Sequence, residues 1–184
     1  MTSPVAQPRH GDAWTVDDLW ALPADGQQYE IFDGSLLVSP HADVFHGGVA
    51  NRLRRLLDRQ APDDLLVGQD IGVSAKRSSY LVPDIFVARD HAIDRGGSAL
   101  RPEDVLLVIE VISPSNAGRD LVLKRHEYAV AGIPRYWLVD PRKRTLTVLE
   151  NVGGVYREAA LVTAGQTWTA DQPFPLTLDL GTIC

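Results

Sequence analysis

Residues 105–116 read Val105-Leu106-Leu107-Val108-Ile109-Glu110-Val111-Ile112-Ser113-Pro114-Ser115-Asn116. The apolar run is continuous rather than alternating, which predicts a strand buried on both faces. One carboxylate, Glu110, interrupts it. An ionised carboxylate in such a strand costs several kcal/mol unless a partner compensates it. The run ends in Ser113-Pro114-Ser115-Asn116, a strand-ending turn suited to capping a following helix. Glu110 is therefore expected near the carboxyl end of a central strand, where open α/β sheets tend to place their sites.

Working outward toward the C-terminus, the spacing predicts a helix from Arg119 to Ala131, closed by Gly132 and Pro134. Asp120, Lys124 and Tyr128 recur every four residues and share one helical face. Tyr136 to Asp140 reads as a further strand, so Val105 to Asp140 forms a β-α-β unit with parallel strands and a right-handed crossover. After the basic turn Pro141 to Arg144, Thr145–Glu150 and Val155–Ala160 are expected to pair as an antiparallel hairpin. The apolar remainder to Cys184 is expected to add an edge strand.

Working outward toward the N-terminus, Leu65–Val67, Ile71–Val73 and Tyr80–Val87 read as short strands. The last contains Pro83-Asp84, and Pro83 belongs at a strand start or an edge because it has no N–H to donate. Lys76 to Ser79 forms a basic turn, or equally a basic loop near a substrate. Asp43 to Gln60 has helical spacing, with Val49, Leu53, Leu56 and Leu57 as its apolar stripe. Arg52, Arg54, Arg55 and Arg59 supply much of the remaining surface, as a solvated face or as a phosphate-contacting strip. Gln28 to Val38 is a hairpin signal centred on Asp33-Gly34. Glu30 there shares a face with Phe32, an odd placement for a purely solvated residue. Thr15 and Asp18 have capping-box spacing for a short helix that Pro23 stops.

The chain has 184 residues, 45% hydrophobic and 23% charged, with a formal net charge of −6. This composition suits one globular domain, expected over residues 15–184 behind a flexible tail at 1–14. The acidic balance argues against a protein coated in positive charge for non-specific nucleic-acid binding, and leaves room for a local basic face or an acidic cation site. Cys184 is the only cysteine, so no intramolecular disulfide can form and a reducing cytoplasm is expected. No apolar run reaches the roughly 20 residues that span a bilayer.

Asp84 on one strand, Glu110 on a later strand and Lys124 on the next helix are the residues with chemistry. Two converging carboxylates suit a hard divalent cation, Mg²⁺ or Mn²⁺. A nearby ammonium can orient water or neutralise a phosphate. Pro83-Asp84 followed by Glu110 in Ile109-Glu110-Val111-Ile112-Ser113-Pro114-Ser115 resembles the PD-(D/E)XK nuclease signature of the restriction-endonuclease-like fold. Three segments narrow the resemblance: Tyr29-Glu30-Ile31-Phe32-Asp33-Gly34; the two acidic segments; and Asp120 with Lys124, then Tyr128 through Gly132-Ile133-Pro134 to Tyr136-Trp137-Leu138-Val139-Asp140-Pro141. Together they resemble the Uma-type family of restriction endonucleases, over roughly Thr15 to Leu149.

The resemblance implies a mixed sheet with a central β-α-β unit flanked by helices, and Asp84 and Glu110 as ligands of Mg²⁺. It implies Glu30 as a further acid of the site and DNA as the substrate. The superfamily's lysine stands two positions after the second acid, which here is Ile112; Lys124 on the following helix is the substitute that similar proteins show. His46, Arg52, Lys76, Ser113 and Asp120 are candidates for substrate contact. His41 and His46 lie five apart, off a common helical face, which disfavours zinc. Blander readings stand beside these: Glu110 and Lys124 as a structural ion pair, Asp84 bonded to backbone, Glu30 as an ordinary hairpin carboxylate, Asp120 as a helix N-terminal acid, and Tyr128, Tyr136 and Trp137 as core aromatics. The expected activity is metal-dependent DNA cleavage, by a homodimer if both strands are cut. The alternatives are a non-catalytic nucleic-acid-binding or partner-binding module that keeps the fold, and a phosphoesterase of small substrates.

Overall fold

A computed structural model of the chain describes residues 13–40, 43–113 and 119–184, excluding the side chains at 40 and 119–121. Nearly all of the expected N-terminal tail, His41 and residues 114–118 lie outside the described residues. In chain order the elements are α1 (Val16–Leu19), β1 (Gln27–Phe32), β2 (Ser35–Pro40), α2 (Val44–Asp58), β3 (Leu65–Gly68), β4 (Val73–Lys76), β5 (Ser79–Leu81), β6 (Ile85–Arg89), β7 (Val105–Val111), α3 (Arg119–Val130), β8 (Arg135–Asp140), β9 (Thr145–Val152), β10 (Val155–Thr163), β11 (Thr167–Ala170) and β12 (Leu176–Asp179).

Six strands form the main sheet in the order β10-β9-β8-β7-β6-β3. The run at 105–111 is an inner strand, paired antiparallel to β6 and parallel to β8. Both of its faces are covered. Leu107, Ile109 and Val111 pack with Val49, Leu53 and Leu57 of α2 and with Leu176 and Leu178 of the C-terminal hairpin. Val108 faces the other way and packs with Tyr128 and Ala129 of α3. The fold is mixed α+β, with the expected β-α-β unit β7-α3-β8 at its centre.

Two expectations on the strands are corrected. Tyr80–Val87 is not one strand: it breaks at Val82-Pro83-Asp84, with β5 in the small sheet β2-β1-β5-β4 and β6 in the main one. Pro83 cannot donate to either ladder, so the chain changes sheets there. The C-terminal segment adds no edge strand. β11 and β12 pair only with each other and lay Trp168 edge-on to the buried Trp137, ring centroids 5.4 Å apart. Ile71 also lies ahead of the strand expected to hold it, since β4 starts at Val73. The first hairpin turns as read: Asp33 (φ 44) and Gly34 (φ 80) both adopt the left-handed conformation that its two-residue turn requires.

Gly68 on β3 lies opposite Phe86 on β6. A Cβ at Gly68 would sit 2.2 Å from Phe86 Cζ, and Phe86 is fully buried with no room to retreat. Gly68→Ala is expected to destabilise the protein by about 1–3 kcal/mol, the usual cost of overpacking a core. A urea midpoint unchanged from wild type would refute this.

Candidate metal and nucleic-acid site

Register brings the two acids together. Ile85 on β6 pairs with Ile109 on β7, so one further antiparallel step sets Asp84 opposite Glu110. Asp84 has just left the ladder, and its Oδ2 accepts the Val111 N–H at 2.7 Å. Glu30 arrives from the small sheet, where β1 pairs with β5 at Ile31 and Tyr80. Its Oε1 accepts the Val82 N–H at 2.7 Å.

Lys124 projects from α3 into this cluster. Its Nζ lies 3.0 Å from Glu30 Oε1, 3.1 Å from Glu110 Oε1 and 2.9 Å from the Val82 carbonyl. An ammonium has three N–H donors, and these acceptors engage all three. Tyr128, one turn further along α3, donates its hydroxyl to Glu110 Oε1 at 3.3 Å. The i, i+4 spacing read in the sequence thus delivers both side chains to one carboxylate oxygen. Tyr128 is buried, as expected of a core aromatic, and also touches the site.

His46 completes the cluster from the first turn of α2. Asp43 caps that helix, accepting the His46 N–H at 2.8 Å. The ring Nε2 lies 3.1 Å from Asp84 Oδ2 and 2.8 Å from the Val111 carbonyl. Both neighbours are acceptors, so the ring carries its proton on Nε2. Nδ1 is buried with no partner among the described residues.

The electrostatics follow from crowding three carboxylates against one lysine. Burial pushes the Glu110 carboxyl well above the usual range, and the charges of Asp84 and Glu30 add to that; Lys124 opposes it only in part. Burial pulls the Lys124 ammonium down, but the charges of Glu110, Glu30 and Asp84 outweigh it and hold the lysine protonated. The hydrogen bond to Asp84 raises His46 above its ordinary value, against the cost of desolvation.

Ser113 and His46 border a small concavity of about 30 Å³ with Arg142. Lys76 pairs with Asp33 at 2.9 Å, and both side chains are exposed. Arg52 bonds the Ile183 carbonyl through Nε at 2.8 Å. The Asp120 side chain lies outside the described residues. His46 was legible only as one of several substrate-contact candidates; the signal that places it is its spacing from Asp43, which fixes it in the first helical turn. The backbone of Val82, a partner to both Glu30 and Lys124, had no signal in the sequence.

A family model, Uma2, described as "Putative restriction endonuclease", matches residues 16–181. The chain belongs to the Uma2 family. The fold agrees: a crystal structure described as "a putative nuclease belonging to DUF820" from Anabaena variabilis superposes with a TM-score of 0.68 at 17% identity, over 92% of this chain and 96% of the other. No curated protein matches. In this Uma2 chain the family-like segments converge: Glu30, Asp84, Glu110 and Lys124 meet at one end of the main sheet.

Among the described residues no three His, Cys, Asp or Glu side chains are grouped as a metal site. The donor chemistry still fits a hard cation. Mg²⁺ characteristically takes one or two carboxylates and keeps several waters. The Asp84 and Glu110 carboxylates and the Val111 carbonyl supply oxygen donors, and the oxygens of Asp84 and Val111 already converge on one atom, His46 Nε2.

Proposed function

We propose that this Uma2-family protein is a metal-dependent endonuclease that hydrolyses phosphodiester bonds of DNA. The carrying observation is the convergence of Asp84, Glu110 and Lys124 at the strand end, with Glu30 and His46 bonded to them. Asp84 and Glu110 would hold Mg²⁺ or Mn²⁺, with the Val111 carbonyl beside them. The bound ion supplies Lewis acidity toward the phosphodiester and the attacking water. Lys124 is a fixed positive charge and not a base, because it stays protonated. Glu30 positions it: the Val82 N–H fixes the Glu30 carboxylate, which in turn holds the ammonium. For Lys124 to donate to a water or phosphate oxygen, one of its three contacts must open. A homodimer in the cytoplasm is part of the same reading, since cutting both strands of a duplex takes two sites. Among the described residues no helix is long and apolar enough to cross a membrane.

The test is calorimetric titration of Mg²⁺ and Mn²⁺ into wild type and Glu110→Ala, with cleavage of duplex DNA followed in the same buffers. Metal-dependent nicking by wild type, with metal binding lost in the variant, supports the reading. DNA affinity without metal and no cut product under any condition would replace it with a non-catalytic binding module.

The raised Glu110 and His46 values make metal binding pH-dependent, because a cation must displace their protons. Affinity is expected to rise with pH through the shifted Glu110 range. Stability without metal should move the other way. Between the ordinary glutamate range and the raised value the folded protein holds a proton the unfolded chain has lost, so stability falls as pH rises. Saturating Mg²⁺ is expected to flatten that fall in thermal melts. A metal-free stability that rises across the same window would contradict the assignment.

A further inference from the structure

The acids account for the reacting centre but not for what holds a polyanion beside it. The flank of α2 that faces the C-terminal segment carries Phe45, Arg52 and Arg59, seven residues apart and so two turns apart each time. Phe45 borders the small concavity with His46 and Arg142, so this flank begins at the site. Further along, Arg52, Arg55 and Arg59 line a pocket of about 380 Å³. Its wall is held in place: Gln60 exchanges hydrogen bonds with the Thr177 backbone, at 3.0 and 2.8 Å. Arg52 and Arg144 bond the consecutive carbonyls of Ile183 and Cys184, at 2.8 and 3.0 Å, so the C-terminal segment bridges α2 to the basic turn that carries Arg142.

Lys76, Arg77, Arg95 and Arg54 pair with carboxylates, those of Asp33, Asp17, Asp104 and Asp58. Arg55 and Arg59 are exposed and, among the described residues, pair with no carboxylate. The acids near the track are turned to their own backbone: Asp43 caps α2, and Asp140 accepts the N–H groups of Arg142 and Lys143 and pairs with Lys143 Nζ at 3.3 Å. From Phe45 to the C-cap Arg59 the helix runs about 21 Å, roughly six base-pair steps measured along the axis of B-form DNA.

We propose that Arg52, Arg55 and Arg59, continued toward the site by Arg144 and Arg142, form a track for the sugar-phosphate backbone of duplex DNA. This inference rests on the nucleic-acid reading of the site and adds the surface that sets the strand's path into it. Guanidinium forks suit phosphate oxygens, and such contacts position a strand without reading its sequence.

The experiment measures binding of a labelled 20-base-pair duplex by fluorescence anisotropy, without divalent metal, across a KCl series. The variants are Arg55→Ala/Arg59→Ala and, as a charge-matched control, Arg101→Ala/Arg157→Ala, also exposed. Loss of two phosphate contacts should make the slope of log affinity against log salt shallower by about 1.8. With the 1 M intercept unchanged, that is a loss of roughly 60-fold at 0.1 M KCl. The control should match wild type. Equal loss in the control, no loss in the test variant, or no duplex binding by wild type at 50 mM KCl would overturn the track. So would ATP binding that depends on Arg55 and Arg59 while duplex binding does not, since the pocket would then serve a free nucleotide. A companion cleavage assay with Mg²⁺ separates the two readings. Binding through these arginines without cleavage keeps the track and removes the nuclease; cleavage with KM unchanged in the test variant keeps the nuclease and removes the track.

Discussion

Asp84→Ala and Glu110→Ala are each expected to lower metal-dependent cleavage by at least about a thousandfold, roughly 4 kcal/mol of transition-state stabilisation. On the proposed reading, each substitution would remove one of the two carboxylates that balance the cation's charge, and the remaining donor set would be too weak to hold Mg²⁺ against water. Glu110→Gln is the sharper variant. It keeps volume and hydrogen-bonding shape, and it leaves Lys124 with Glu30 and the Val82 carbonyl. It should therefore melt close to wild type while losing both metal affinity and cleavage. Single-turnover rates with saturating enzyme, read beside the calorimetric titration, separate loss of chemistry from loss of folding. Cleavage within tenfold of wild type in Glu110→Gln would remove Glu110 from the reacting centre and leave it a structural partner of Lys124.

Lys124→Met should show its largest effect in stability, and that effect should depend on pH. The lysine is the cation at 3.0 and 3.1 Å from two buried carboxylates. Removing one partner of a buried ion pair leaves uncompensated charge and costs about 3–5 kcal/mol. Glu110, already shifted upward by burial, then loses the charge that opposed the shift. Its folded-state value rises further, so the folded variant binds a proton that the unfolded chain releases. The sign follows: above the wild-type Glu110 value only the variant still holds that proton in the folded state, so its deficit against wild type widens as pH rises and narrows as pH falls. Urea midpoints of both proteins across a series from pH 5 to pH 9 check this. A deficit that stays constant across the series, or is larger at pH 5, would show that the lost lysine acts through packing alone. Cleavage should also fall, and Lys124→Arg should restore stability better than activity, because the planar guanidinium cannot reproduce the three-way contact of Nζ.

The sequence by itself determined a good deal. The unbroken apolar run at 105–111 specified a strand buried on both faces, and the helix and strand after it specified a parallel β-α-β unit. Asp33-Gly34 specified a two-residue hairpin turn, and the four-residue spacing put Lys124 and Tyr128 on one face. All are local consequences of periodicity and backbone preference, which act between near neighbours in the chain. The ordered motifs likewise carry the resemblance to the Uma-type family, and the family model matches residues 16–181.

Tertiary structure decided the rest, because the deciding interactions join residues far apart in sequence. That Asp84 lies opposite Glu110 is a matter of register between β6 and β7, and nothing local fixes which residues of two strands will pair. The break at Val82-Pro83-Asp84 became visible only once two sheets needed a crossing point, and that break presents the Val82 backbone to both Glu30 and Lys124. His46 lies 38 positions before Asp84 in the chain and 3.1 Å from it in space. The three arginines of α2 and Arg59 at its C-cap look alike as a sequence. Packing distinguished them, pairing Arg54 with Asp58 and gathering Arg52, Arg55 and Arg59 around one pocket against the C-terminal segment.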